Sequence, residues 1–116
     1  MIKVEKKVFT PNATTGLLVE STLKTLKKKS DILDLGCGTG YVGLSVAKKT
    51  KLKNKYFFSD ISKAAISLCK RNAKRNKIKI SAKAGTMYEP WEGNKFDLII
   101  ESISAIAKKV AKVSPW

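Results

Sequence analysis

The sequence contains no histidine and only two cysteines among its 116 residues. These absences exclude a zinc site built from clustered histidine and cysteine ligands, and they exclude Ser-His-Asp and Cys-His catalytic units, so we expect no metal site. No apolar run approaches the roughly 18 residues that a membrane span requires. The first residues also contain no apolar signal core. We therefore expect a protein without a membrane-spanning segment.

The two cysteines are not predicted to form a disulfide. Cys37 lies among glycines and Cys69 lies in a predicted helix. Two free thiols are typical of a reducing compartment, and we expect a cytoplasmic protein. Length and composition predict one compact domain over residues 1–116, because 43% of the residues are hydrophobic and can form a core.

Acidic residues are also scarce, since 9 Asp and Glu stand against 24 Lys and Arg, which gives a net charge of +15. Only Arg71 and Arg75 among the positive residues are arginines. A charge of this size attracts polyanions such as RNA. A lysine-dominated surface is equally typical of an exterior that is only solvated, and the composition leaves both interpretations open.

Apolar periodicity predicts an alternation of helices and strands. Thr14 or Thr15 is a candidate N-cap of the first helix, and Ser62 is a candidate N-cap of the third. The alternation predicts an α/β fold with a parallel sheet and right-handed crossovers. The predicted helices cover residues 15–28, 41–50, 63–75 and 104–113, and the predicted strands cover residues 32–35, 56–60, 77–82 and 96–100, the last of them buried.

A glycine-rich loop at residues 34–40 follows the first predicted strand. Alternate glycines let the chain turn sharply into a helix and let a ligand approach the backbone. Gly38, Gly40 and Gly43 also satisfy the G-x-G-x-x-G fingerprint of dinucleotide-binding domains. Asp60 lies at a spacing that suits a ribose-binding carboxylate in either kind of site. A dinucleotide and another nucleoside cofactor are therefore both candidates.

The acidic residues distinguish between these two candidates. A dinucleotide loop has its first glycine at the end of the strand, and here that residue is Gly36 rather than Gly38. Asp34 lies within the end of the strand, where a buried carboxylate needs compensation and would repel a pyrophosphate. Asp34, Asp60 and Glu101 are all predicted at carboxyl ends of strands, where an open parallel sheet binds its ligand. This cluster favours a cationic cofactor.

The motif Asp34-x-Gly36-x-Gly38-x-Gly40 resembles the first motif of the Rossmann-like S-adenosylmethionine-dependent methyltransferases. The resemblance implies a doubly wound parallel sheet, here of about four strands in the order 3-2-1-4. It also implies S-adenosylmethionine as the cofactor. Asp34 and the loop, including Cys37, are then implied to hold the methionine part.

The same resemblance implies positions for the nucleoside. Asp60 is implied to bind the ribose hydroxyls, and Ile61 is implied to pack on the adenine. The family has an aspartate for the adenine amino group in the loop after the third strand. Gly85-Thr86-Met87 occupies that place here, so Thr86 and Met87 are the candidates for this contact.

A closer resemblance is to the small-methyltransferase branch that includes the release-factor glutamine methyltransferases. That branch follows its fourth strand with Asn-Pro-Pro-Tyr, whereas Ser102-Ile103-Ser104-Ala105 stands here, so methylation of a glutamine amide or a base amine is not implied. Glu101 and Ser102 are then the candidates nearest the methyl group, with Glu101 able to take a proton. The resemblance is carried by Pro11-x-x-x-Thr15, which is implied to border the cofactor, by Tyr88-Glu89-Pro90 and by Phe96-Asp97-Leu98-Ile99.

The resemblance implies methyl transfer to a macromolecular acceptor, either RNA or a translation-linked protein. One alternative is a fragment of a dinucleotide-binding oxidoreductase, and another is a module that binds the cofactor without turnover. The family builds seven strands, but only four are predicted here. We therefore expect that C-terminal strands are lacking, that the chain self-associates, or that a partner covers the apolar fourth strand.

Overall fold

The computed structural model describes residues 13–86 and 88–101. Within these ranges helices and strands alternate along the chain, as the sequence predicts. Met87, Ser102 and the predicted helix at 104–113 lie outside the described residues. None of the helices in the described part is long and apolar enough to cross a membrane. The elements are α1 (Ala13–Thr25), β1 (Asp31–Leu35), α2 (Tyr41–Lys49), β2 (Lys55–Asp60), α3 (Lys63–Arg75), β3 (Ser81–Ala84), a short 3-10 helix (Glu89–Trp91) and β4 (Leu98–Glu101).

The four strands form one parallel sheet in the order β3-β2-β1-β4, which confirms the predicted fold and strand order. The central strand is β1, where Leu33 pairs with Phe57 of β2 on one side and with Ile99 of β4 on the other. The chain proceeds from β1 to β3 in one direction and then crosses to β4 on the opposite side. The strand order therefore reverses between β1 and β4. An open α/β sheet binds its ligands at such a point, outside the carboxyl ends of the strands.

Two hydrophobic clusters cover the two faces of the sheet, because successive side chains of a strand point to opposite sides. The larger cluster packs Ile32 and Phe58 against the three helices. The smaller cluster contains Leu33, Phe57 and Trp91. The Trp91 indole packs edge-to-face on Phe57 at a centroid distance of 5.1 Å, and it is buried. Trp91 is therefore a packing residue on the far face of the sheet.

Helix α1 begins and ends earlier than predicted. It covers Ala13–Thr25, so Thr14 and Thr15 lie inside the helix and neither is the N-cap. Three consecutive lysines at 27–29 lie beyond its end. Continuing the helix would place like charges such as Lys24 and Lys28 one turn apart, which is unfavourable.

Strand β3 begins at Ser81 rather than at Lys77 as predicted. Lys77 has a φ of 58°, and its N–H donates to the carbonyl of Lys74 at 3.1 Å. The N–H of Ile78 donates to the carbonyl of Ala73 at 2.9 Å. This pair of hydrogen bonds is the Schellman motif that ends a helix. The start of the alternating segment therefore terminates α3, and strand pairing begins only after it.

The limits of α3 agree with the prediction, and Ser62 is its N-cap because the Ser62 hydroxyl accepts a hydrogen bond from the Ala65 N–H at 3.0 Å. The predicted burial of the fourth strand is wrong in part. Ile100 is buried against the helices, but Ile99 is 39% exposed. The two residues point to opposite faces of β4, and in the described part of the chain only the Ile100 face has α-helices packed on it.

Candidate functional site

The carboxyl edge of the sheet brings together the loops after β1, β2 and β3 and the end of β4. Leu35 ends β1 and pairs with Ser59 of β2 and with Glu101 of β4. Asp60 ends β2, and its carbonyl accepts a hydrogen bond from the N–H of Gly85 after β3 at 2.9 Å. The glycine loop, Asp60, the loop after β3 and Glu101 therefore lie along one edge, as the sequence predicts.

The glycine loop is held against the end of β2. The N–H groups of Gly36 and Cys37 both donate to the carbonyl of Ser59 at 2.9 Å. Gly36, Gly38 and Gly40 have φ values of 71°, 57° and 87°, in the left-handed region that favours glycine. This conformation leaves the backbone of the loop free of side chains at these three positions, so a ligand can approach it closely.

The Asp60 carboxylate connects the glycine loop to the start of α3. One oxygen, Oδ2, accepts a hydrogen bond from the Gly38 N–H at 2.9 Å. The other oxygen, Oδ1, accepts one from the Ser62 N–H at 2.8 Å. A carboxylate has about four lone-pair sites, so these two bonds fix its orientation and leave acceptor capacity for a pair of hydroxyl groups. The side chain is half-buried and thus remains accessible to a ligand.

An apolar surface lies directly beside this carboxylate. Ile61 follows Asp60 and is 75% exposed, although it is a large aliphatic residue. Thr86, after the third strand, is exposed as well. A flat apolar ring placed on Ile61 would remove its surface from water.

Asp34 is 1% exposed, and its carboxylate is compensated by the protein itself. Its Oδ2 accepts a hydrogen bond from the Gly43 N–H at 2.9 Å, in the first turn of α2, where the helix dipole is positive. Part of the compensation that the sequence analysis expects for this buried carboxylate therefore comes from the backbone of α2. A Cβ at Gly43 would lie 2.5 Å from Cε2 of Phe58, so the third glycine of the fingerprint serves the packing of α2 on the sheet.

Cys37 of the glycine loop and Cys69 of α3 are both free and buried. A hydrogen bond with Cys69 and burial both raise the pKa of the Cys37 thiol well above its usual value of 9.0, and the charges of Asp34 and Asp60 raise it further. The thiolate is the nucleophilic form of cysteine. Cys37 is therefore a packing residue at neutral pH. No group of three potential metal ligands occurs in the part of the chain that the structure describes.

Two further candidates lie in different environments. Thr15 is 4% exposed within α1, whereas Glu101 is exposed at the end of β4. Burial raises the pKa of the Tyr88 phenol, and the charge of the nearby Glu101 raises it further. The sequence predicts no contact between Tyr88 and Glu101. The proximity of Tyr88 to Glu101 follows from the loop after β3, which crosses to the other side of β1 before β4 begins.

Comparisons with known proteins agree with this geometry. The family model described as "Methyltransferase small domain" matches residues 5–102. A release factor glutamine methyltransferase of Aquifex aeolicus is 29% identical over 99% of this chain and 42% of its own length. A ribosomal protein L11 methyltransferase of Thermotoga neapolitana is 34% identical over 79% of this chain and 34% of its own length.

A solved structure shares the fold. The 16S rRNA methyltransferase of T. thermophilus, in complex with AdoMet and guanosine, superposes with a TM-score of 0.69 and 23% identity, over 79% of this chain and 26% of that chain. The chain spans less than half the length of the curated relatives described above. Because the family model covers most of its residues, the chain belongs to the methyltransferase small domain family.

Proposed function

We propose that this chain is the cofactor-binding unit of a methyltransferase that uses S-adenosylmethionine. The observation that carries the proposal is the arrangement at Asp60, whose carboxylate is oriented by two backbone N–H groups beside the exposed Ile61. A nucleoside fits both features, because its ribose has two adjacent hydroxyl groups and its base has an apolar face. Family membership supports a nucleoside that donates a methyl group.

The remaining contacts follow from the same edge. We assign the ribose hydroxyls to Asp60, the adenine ring to Ile61 and the adenine amino group to the segment of Thr86 and Met87. We assign the methionine part to the glycine loop, whose left-handed glycines expose their backbone. Asp34 acts from beneath this loop, since its bond to the α2 backbone fixes the helix that follows. The loop residues in this assignment are Gly36, Cys37, Gly38 and Gly40.

The cofactor supplies a methyl group that its sulfonium already activates, so the protein mainly has to bind, orient and exclude water. Glu101 lies at the reversal point of the strand order, next to the end of β1. There it can accept a proton from the methyl acceptor. The Tyr88 phenol, like any tyrosine, is protonated at neutral pH, so it can donate a hydrogen bond to the same acceptor. Ser102 is the next candidate along the chain.

A dinucleotide fits this edge less well. A pyrophosphate binds at a helix N-terminus through free backbone N–H groups. Here the N–H of Gly43 is already engaged by the buried carboxylate of Asp34. A second carboxylate, Asp60, accepts the N–H of Gly38 in the loop. These two negative charges disfavour a pyrophosphate and suit a cofactor that carries positive charge.

The acceptor that we propose is a macromolecule. The relatives are named for methyl transfer to release factors and to ribosomal protein L11, and the solved structure is named for 16S rRNA. To find the acceptor, the full chain is incubated with labelled S-adenosylmethionine and a lysate that has been separated into RNA and protein fractions. Label in either macromolecular fraction supports the proposal. Tight cofactor binding without label in any fraction supports a module that binds without turnover.

The Asp60 assignment is tested by calorimetry with S-adenosylhomocysteine. Replacing Asp60 with Ala removes two charge-assisted hydrogen bonds to the ribose, worth about 1.5 kcal/mol each at the low end, so the affinity should fall roughly 100-fold. Glu92→Ala is the matched control, because Glu92 is an exposed acid outside the proposed site. An unchanged affinity of Asp60→Ala, in a chain with unchanged circular dichroism, would remove Asp60 from the site.

A further inference from the structure

The charges of the described residues are distributed unevenly across the sheet. Residues 61–86, which form α3 and β3, contain eight Lys and Arg and no Asp or Glu. Residues 88–101, which lead into β4, contain four Asp and Glu and one Lys. The segment of α3 and β3 is therefore strongly cationic, whereas the described segment that follows it is acidic.

Helix α3 carries a regular row of these positive charges. Its buried face packs on the sheet, and its other face carries an exposed row of charges that we call the α3 basic stripe. Four members are adjacent or lie three or four residues from one another, and Lys63 lies about two turns before Lys70, so all of them lie on one face of the helix. They include both arginines of the chain. The α3 basic stripe consists of Lys63, Lys70, Arg71, Lys74 and Arg75.

No described acidic residue neutralises these charges. Within the described residues, no carboxylate lies within 4.0 Å of any member of the stripe, and the ion pair seen there joins Lys49 to Glu20 at 3.7 Å. All five members are exposed. An unpaired row of this kind raises the local concentration of anions.

The stripe begins at the proposed cofactor site. Lys63 follows Ser62, whose N–H binds the Asp60 carboxylate. From Lys63 the helix runs away from the carboxyl edge, and its 13 residues extend roughly 18 Å at 1.5 Å per residue. A linear polyanion bound along the stripe therefore has one end beside the site.

We propose that the α3 basic stripe docks the sugar–phosphate backbone of a nucleic-acid strand and guides it to the carboxyl edge. A nucleic acid carries one charge per nucleotide at regular intervals, which suits a row of cations about 5–6 Å apart. The guanidinium groups of Arg71 and Arg75 can bind phosphate oxygens in a bidentate manner. The stripe has no aromatic residue to stack on bases, so the docking is independent of sequence. Guidance to the edge rests on the proposed function, whereas docking alone does not.

The test measures fluorescence anisotropy of labelled single-stranded RNA and DNA of the same sequence with the full chain. The stripe variant combines Lys70→Gln, Arg71→Gln and Lys74→Gln, because glutamine has nearly the same helix propensity as these residues. The control variant replaces each lysine of Lys27–Lys29 with glutamine. It removes the same charge from an exposed connection outside the stripe.

The logarithm of the association constant K falls linearly with the logarithm of the salt concentration. The stripe variant should make this slope shallower by about 2, since each phosphate contact on a single strand contributes about 0.7. At 0.1 M salt this corresponds to a roughly 100-fold weaker affinity. The control variant should weaken the affinity by less than about 10-fold, a tenth of the fold-change expected for the stripe variant. Homopolymers of different bases should bind wild type equally. Comparison of RNA with DNA shows whether the 2′-hydroxyl contributes to binding. A lower affinity of the stripe variant for either strand supports docking of the backbone.

Three results would overturn the proposal. An equal loss in both variants would show that only net charge matters. An unchanged RNA and DNA affinity of the stripe variant, together with a lost affinity for polyglutamate, would assign the stripe to an acidic protein. A strong preference for one homopolymer would contradict docking through the backbone. Calorimetry with S-adenosylhomocysteine, which tests the cofactor proposal separately, should give the same affinity for both variants and wild type.

Discussion

The substitution Gly43→Ala tests how closely α2 packs on the sheet at the candidate site. The added Cβ would lie 2.5 Å and 2.7 Å from Cε2 and Cζ of Phe58, and 2.9 Å from Oδ2 of Asp34. Neither neighbour has room to move, because Phe58 is fully buried and Asp34 is held by the Gly43 N–H itself. The substitution therefore strains the contact on which the glycine loop depends.

Two effects of opposite sign set the magnitude. Alanine is favoured over glycine inside a helix by about 1 kcal/mol. Overpacking a buried site costs about 1–3 kcal/mol, and weakening a buried hydrogen bond to a carboxylate costs about 1–3 kcal/mol more. We expect the free energy of unfolding to fall by about 3 kcal/mol in total.

Gly16→Ala is the matched control, because Gly16 lies in α1 and a Cβ there has no described atom within 4 Å. This variant gains helix propensity without a clash, so its free energy of unfolding should rise by up to about 1 kcal/mol. Both values are measured by urea denaturation followed by circular dichroism. If Gly43→Ala is stabilised as much as Gly16→Ala, the close packing of α2 on Phe58 and Asp34 is refuted.

Two more predictions concern stability. Because the pKa of the Cys37 thiol is raised above 9.0 in the folded chain, the unfolded chain loses this proton first as the pH rises. The free energy of unfolding should therefore decrease above about pH 9, and Cys37→Ala should make the alkaline decrease shallower; identical pH profiles would contradict this. Ser62→Ala removes the N-cap bond to Ala65 and should lower the free energy of unfolding by about 0.5–2 kcal/mol in the same urea assay, whereas an exposed Ser67→Ala should have little effect.

Local sequence signals predict part of this fold well. The limits of α3 are set by a serine cap and by a sharp division between buried and exposed positions, and both signals are visible in the sequence. The start of β3 was mispredicted because Lys77 and Ile78 fit an alternating strand pattern, although their N–H groups complete the end of α3. A non-glycine residue in the left-handed conformation gives little local signal of such an end.

The candidate site shows a similar division. The positions of Asp34, Asp60 and Glu101 at the carboxyl edge follow from the strand order, which the sequence pattern predicts. The partner of Asp34 does not follow from it, because the bond to Gly43 depends on how α2 leaves the loop. The neighbourhood of Tyr88 and Glu101 depends in the same way on the path of a long loop. Tertiary geometry decides both contacts.

The most direct test of the central claim is calorimetric titration of the full chain with S-adenosylhomocysteine and, separately, with NAD. We assign the carboxyl edge to a nucleoside without a pyrophosphate, because the buried Asp34 carboxylate occupies the Gly43 N–H at the start of α2. We expect saturable binding of S-adenosylhomocysteine and no measurable binding of NAD at the same concentrations. Saturable binding of NAD without binding of S-adenosylhomocysteine would contradict this assignment.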